Sequence, residues 1–422
     1  MINNVIKALL SILCLVLTQP AISSSNWKDG ILKSSQYVVD KNLPTQDALT
    51  YWRWTPGTSH LQTPLVIVGD GGPGKFLGRE SVESLLEPFT KLKKSRPLYI
   101  INLRGTEPNS LLGCMNLELY DCFDKIYGQD LNLELYHYEQ YAEDAVKIMD
   151  HLGIKNWILY GASYSTRVVS KIAMEHISRT KALVLDSPDS LPDQGSIPEP
   201  IKRKLSFSAL VSACKSSKSC IEEFPKIQKE TESILLALEH NKENIMGLNG
   251  APWDKFEFIK TFYDFTIMPQ PNEAAEFINL HSQNPGGYPL TQVSKSLRSI
   301  GKDASLFLSR DLSQINPFNY NITNCNEFKK KPSGYLMVHS VWGDDYDRFN
   351  TCDGYSTLKY DQLIETNVAT YILVNRYDTV TPPNYAKGYK SYFPNHTYLE
   401  IDSTGHGVDL KHVASILDTL PF

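Results

Sequence analysis

Five short, nearly uninterrupted apolar runs constrain this chain more than any other feature: Pro64–Val68, Leu98–Asn102, Trp157–Tyr160, Ala182–Asp186 and Tyr371–Val374. A strand with one wet face alternates apolar and polar residues. These runs leave no polar face, so they belong to a parallel sheet covered on both sides. Helical periodicity separates several of them, over about Ser81–Lys93 and over Tyr138–Leu152, where Ala142, Ala145, Val146, Met149 and Leu152 recur at helical spacing. Gln36–Asp40 and Ala48–Trp54 do alternate, which predicts antiparallel strands at the start of the sheet. A late strand over Thr397–Ile401 and a helix over Val408–Leu417 complete the pattern. The expectation is an α/β fold, a mostly parallel eight-stranded sheet with helices on both faces.

Between about Ser190 and Asn316 the rhythm stops. Lys226–His240 carries an amphipathic helical pattern, Trp253–Phe265 is dense in aromatics, and Asn272 begins another helix before the break at Pro285-Gly286-Gly287. With no strand alternating with these helices, the segment reads as a helical cap inserted after the sixth strand. The expected organisation is a core in two parts, 24–189 and 317–422, around a cap at 190–316.

At the N-terminus Lys7 precedes an apolar run, Ala8–Leu17, and Ala21 and Ser23 supply the small residues of a processing site. Residues 1–23 are thus expected to be a removable export signal, giving a periplasmic or extracellular protein. The run is shorter than the roughly 20 residues of a membrane-spanning helix, and Leu13 is too large for a lipid-attachment site at Cys14. Six cysteines remain: Cys114, Cys122, Cys214, Cys220, Cys325 and Cys352. An even number in an exported chain predicts disulfides, and the sequential pairing 114–122, 214–220 and 325–352 needs only short closures. No Cys-x-x-Cys occurs and no histidines cluster beside the cysteines, so no metal is expected. The net charge of −5 mixes both signs along the chain. No basic stripe is present to track phosphates, which argues against nucleic acid as a partner.

Trp157–Tyr160 runs directly into Gly161-Ala162-Ser163-Tyr164-Ser165, and a segment rich in Val, Ile and Ala follows to about His176. That order suits a strand, a tight turn and a helix that hold a serine Oγ above a sheet edge, with small residues at 161 and 165 where strand and helix crowd together. Ser163 is the candidate nucleophile. A serine hydroxyl needs a histidine to take its proton and a carboxylate to orient that histidine. In a sheet of this kind the acid follows a late strand and the histidine lies beyond the last. Asp378, past Tyr371–Val374, and His406, past Thr397–Ile401, meet both conditions; Asp402, His396 and His412 fit the strand ends less well. Backbone amides must also face the developing oxyanion. Tyr164 supplies one, and the loop Gly69-Asp70-Gly71-Gly72-Pro73-Gly74 the other, from Gly71 or alternatively Gly72.

Taken together, Gly71-Gly72-Pro73-Gly74, Arg104-Gly105-Thr106, Tyr160-Gly161-x-Ser163-Tyr164, Leu185-Asp186-Ser187, Asn375-Arg376-Tyr377-Asp378-x-Val380-Thr381-Pro382 and Gly405-His406-Gly407 resemble the α/β-hydrolase peptidases typified by prolyl and tripeptidyl aminopeptidases. The last two motifs and the cysteine pairs 214/220 and 325/352 look most like the exported tripeptidyl branch. The resemblance implies an α/β-hydrolase fold with an inserted cap and no cofactor. It also implies a serine exopeptidase that releases residues or short peptides from free peptide N-termini through an acyl-enzyme. Three departures stand out: Asp70 where relatives carry His or Pro, Asn102 and Glu107 flanking Arg104-Gly105-Thr106 in place of the usual Asp and Gly, and Ser165 for glycine. A carboxylic ester hydrolase would use the same triad, and a catalytically silent binding protein would break it, which this chain does not. Glu199, Glu222 and Glu223 are available to hold a substrate ammonium, with nothing to choose between them.

Overall fold

The structure is a computed structural model that describes residues 27–33, 48–57, 62–107, 132–191, 199–239, 245–246, 252–253, 271–272, 275–276, 278–279, 322–323, 327 and 363–421. The expected export signal, Gln36–Asp40, Cys114, Cys122, Cys325 and Cys352 lie outside these residues.

In chain order the described elements are β1 (Trp27–Lys33), β2 (Ala48–Trp54), β3 (Leu65–Val68), α1 (Arg79–Leu86), α2 (Leu92–Ser95), β4 (Leu98–Ile101), α3 (Tyr138–His151), β5 (Trp157–Ala162), α4 (Ser165–Glu175) and β6 (Thr180–Asp186). They continue with α5 (Glu199–Ser216), α6 (Lys218–Glu223), α7 (Ile227–Glu239), β7 (Ile245–Met246), β8 (Pro252–Trp253), β9 (Thr370–Tyr377), α8 (Pro383–Tyr392), β10 (His396–Thr404) and α9 (Leu410–Thr419). Eight strands form one sheet in the order β1-β2-β4-β3-β5-β6-β9-β10. β2 pairs antiparallel with β1 and with β4, and every other neighbouring pair is parallel. The expected mostly parallel eight-stranded sheet is therefore present.

Both faces of its central strands are buried, which is why their sequences lack alternation. Val66, Val68, Ile101, Leu159, Leu183, Leu185 and Val374 join one apolar cluster with residues of α3, α4 and α8. The intervening Leu65, Ile67, Ile100, Ile158, Tyr160 and Val184 join the other, with residues of α1, α2 and α9. Each fully buried aliphatic side chain contributes roughly 1.5–3 kcal/mol.

Some described elements add to or differ from the expectations. Trp27–Lys33 forms a strand beside β2 that the sequence did not signal, since Asp29-Gly30 spoils its alternation; its continuous pairing with β2, from Trp27↔Trp54 to Lys33↔Ala48, establishes it. The helix expected over Ser81–Lys93 is two helices, because Pro88 has no N–H with which to continue the backbone hydrogen bonds of α1. The segment after β6 holds a two-stranded antiparallel pair, β7 with β8, whose two residues per strand are too few to leave a periodic signal.

Among the described residues of that segment, α5, α6 and α7 build an apolar cluster of their own. Phe207, Leu210 and Cys214 of α5, Cys220 of α6 and Ile227 and Ile234 of α7 pack with Phe224, Ala275 and Ile278. A disulfide between Cys214 and Cys220, 5.0 Å apart at Cα, ties α5 to α6. Toward the sheet, α5 meets the end of β9: Ser206 Oγ donates to the Thr379 carbonyl at 2.7 Å, and Ser216 Oγ lies 2.7 Å from Tyr377 Oη.

Candidate active site

β5 delivers Ser163 into the left-handed backbone region, with φ at 52°, a conformation costly for a side chain other than glycine. Surrounding groups hold it there. Its N–H donates to the Asp186 carbonyl at 2.9 Å, and Thr166 N–H and Oγ1 both donate to the Ser163 carbonyl, at 3.0 and 2.5 Å. Gly161 explains the need for a small residue two positions earlier: a Cβ there would stand 2.7 Å from the Ser165 carbonyl oxygen and 2.7 Å from Val169 Cγ2.

The chain after β9 folds back on Asp378. Its Oδ1 accepts the N–H groups of Val380 and Thr381 at 2.8 and 2.9 Å, and its Oδ2 accepts Thr381 Oγ1–H at 3.0 Å and meets His406 Nδ1 at 2.9 Å. With these contacts on both oxygens, the buried carboxylate is fixed in orientation. Asp378 is wholly buried and the His406 side chain is 18% exposed, leaving the imidazole accessible from one side. Burial pushes the His406 pKa down, but Asp378, Asp186 and Asp189 outweigh it, and the net shift is upward from 6.5.

The loop after β3 brings Gly71 against the serine, since a Cβ on Gly71 would lie 3.0 Å from Ser163 Cβ and 3.6 Å from its Oγ. Positive φ angles at Gly69, Gly71, Gly72 and Gly74 account for the glycines of this loop. The Gly71 N–H donates to Ser165 Oγ at 3.3 Å. Ser165, fully buried, thus gives the loop an acceptor that glycine would lack. Asp70 and Asn102 also have partners. Asp70 pairs with Lys75 at 2.5 Å, which offsets its negative charge beside the site. Asn102 accepts from Leu77 N–H at 2.9 Å and donates to Thr50 Oγ1 at 3.0 Å, joining the start of β2 to the chain before α1.

Tyr164 is anchored from behind by a cluster the sequence did not reveal. Its hydroxyl donates to Glu327, whose carboxylate also takes Arg167 Nη1 at 2.5 Å and Tyr138 N–H at 2.9 Å. Arg167 bonds in addition to the Ser190 carbonyl at 2.7 Å and Asp189 at 2.9 Å. Only the tyrosine in the motif, the first aromatic after the serine, hints at such an anchor. Of the acids weighed as ammonium ligands, Glu222 lies near Lys218 at 3.9 Å and Glu223 accepts from Asn272 at 3.1 Å. Glu199 begins α5, with nothing described of its side chain. None of the three is brought to Ser163 by a described contact.

The sequence matches the alpha/beta hydrolase fold family over residues 64–412. The chain belongs to the α/β-hydrolase family. No curated protein matches it. Among solved structures it is similar to a serine hydrolase from the bacterium Cycloclasticus zankles, at 14% identity over 92% of this chain and 96% of that one, with a TM-score of 0.41. A proline iminopeptidase from Mycobacterium smegmatis shows 13% identity over 88% of this chain and 90% of that one, at a TM-score of 0.41. A thermophilic esterase from Thermogutta terrifontis shows 12% identity over 93% and 97%, at a TM-score of 0.36. Within the α/β-hydrolase plan, β5, β9 and β10 are the strands that lead into Ser163, Asp378 and His406. Among the described residues, no helix is long and apolar enough to cross a membrane.

Proposed function

We propose that this α/β-hydrolase is an exported serine aminopeptidase that acts through an acyl-enzyme. The observation that carries the reading is the strained Ser163 elbow, joined through Asp186 to the loop of a histidine held at 2.9 Å by a buried aspartate. His406 takes the Ser163 proton as Oγ attacks the scissile carbonyl, and Asp378 holds the imidazole in the tautomer that leaves Nε2 free and stabilises the imidazolium. The amide of Tyr164 and an amide of the Gly71-Gly72 loop receive the oxyanion. His406 then protonates the leaving amine, and water repeats the sequence to free the acyl product. The second donor is read as Gly71, with its bond to Ser165 exchanged for the oxyanion, or as Gly72.

The exopeptidase part of the reading is supported by the helical segment after β6. It carries its own core and meets the loop of Asp378 through Ser206, so it suits a cap that leaves room for a chain terminus and little for the middle of a folded protein. The Cys214–Cys220 disulfide supports export to an oxidising compartment. The substrate class is tested with chromogenic peptide amides bearing a free or an N-acetylated terminus, beside a short acyl ester. The free peptide should turn over much faster than its acetylated form, because acetylation removes the charge and leaves the receiving carboxylate unpaired. Equal rates on both peptides, or turnover of the ester alone, would replace the aminopeptidase by an esterase with the same triad.

A further inference from the structure

We propose that Asp186, a carboxylate with no part in the triad, positions both Ser163 and His406 and sets the pH below which the histidine stops working; this rests on the triad reading above. Asp186 is the last residue of β6 and is fully buried. Its main-chain carbonyl accepts the Ser163 N–H at 2.9 Å. Its side chain reaches the opposite partner, Oδ1 accepting the Val408 N–H at 2.9 Å, two residues past His406. One residue therefore joins the nucleophile turn to the histidine loop. Its neighbours complete the clamp: Ser187 Oγ accepts Gly407 N–H at 3.2 Å, and Asn375 Nδ2 donates to the carbonyls of Gly405 and Gly407 at 3.2 and 2.7 Å.

The second oxygen of Asp186 accepts the Tyr160 hydroxyl at 2.8 Å, so the carboxylate has a donor on each side. Burial still drives its pKa up to about 6, against the bonds from Val408 and Tyr160 and the attraction of His406. It therefore ionises in the range where a histidine titrates. The groups facing this pair are Tyr160 on β5, Asp378 past β9, Asp189 paired with Arg167, and, acting on Tyr160, Asp70 paired with Lys75. Asp378 alone would orient the imidazole, and a second buried negative charge makes the imidazolium easier to form when it takes the serine proton. The sign follows directly. Removing that charge lowers the His406 pKa, so the neutral base persists to lower pH but is weaker.

The test follows the rate at which a fluorophosphonate labels Ser163, read by intact mass across pH 4–9. Serine Oγ bonds to phosphorus, fluoride leaves and the serine proton passes to His406, so the rate reports the base without knowledge of the substrate. In full-length Asp186→Asn, which keeps an oxygen for Val408, the acidic midpoint should move down by about 0.5–1 pH unit and the plateau rate should fall about three- to tenfold. A slower rate with an unmoved midpoint would reduce Asp186 to scaffolding and overturn the proposal. Wild-type protein that takes no label, or label that survives Ser163→Ala, would instead defeat the serine-hydrolase reading. In that case, and if Asp186→Asn fails to fold, NMR titration of the His406 imidazole in the wild type decides: a two-step curve reporting a neighbouring acid supports the coupling, and a single step overturns it.

Discussion

Gly161 shows how little room the serine turn leaves. An added methyl would meet backbone and side chain at 2.7 Å, closer than real carbons approach, whereas Gly57 has nothing within 4 Å of the same position. Gly161→Ala should therefore cost about 1–3 kcal/mol by overpacking and also displace the elbow. Gly57→Ala should change stability by no more than about 0.5 kcal/mol. Denaturant melts of the two variants check this, and similar midpoints would contradict the close approach. The crowding at Gly161, the tight turn at Ser163 and the pairing of Asp378 with His406 were legible because each sits where an apolar run ends. Ser165, Glu327 and Asp186 were not. Their partners lie far off in sequence, as with Tyr164 and Glu327 or Asp186 and Val408, and a hydrogen bond across that distance leaves no local pattern.

At the scale of elements, the Arg104 motif acquires a reason. Arg104 and Asp144 form a bidentate pair at 2.8 and 2.7 Å, nearly without exposure, joining the loop after β4 to the inner face of α3. Removing one partner strands the other charge in the interior. Arg104→Met should cost about 3–5 kcal/mol, while the double variant Arg104→Met/Asp144→Leu should recover much of that loss, because the desolvation penalty of the pair goes with it. A double-mutant cycle in urea measures the difference; strict additivity would contradict the pairing. The same scale shows why element boundaries were harder to read than the elements. β5, β6, α3 and α7 stand within two residues of their expected ends, with tertiary packing and the periodic pattern in agreement. Helix α8, which begins at Pro383, went unread, since its run Pro383-Asn384-Tyr385-Ala386-Lys387-Gly388 is poor in helix formers, and the burial of Tyr385, Ala386 and Tyr389 against the sheet holds it.

Across the whole molecule, one sheet carries the Ser163 turn and, more than two hundred residues later, the loops of Asp378 and His406, and the segment after β6 meets the loop of Asp378 through Ser206. The parallel strands made that architecture legible, because two-sided burial is written in every central run, whereas the packing of the inserted helices depends on their own small cluster around Phe207. The proposed function requires that Ser163 be a nucleophile activated by His406. Full-length protein treated with a fluorophosphonate at pH 8 and digested should carry one adduct, on Ser163, with labelling lost in Ser163→Ala and slowed at least a hundredfold in His406→Ala. An adduct on another serine, or an unlabelled Ser163 in folded protein, would contradict it.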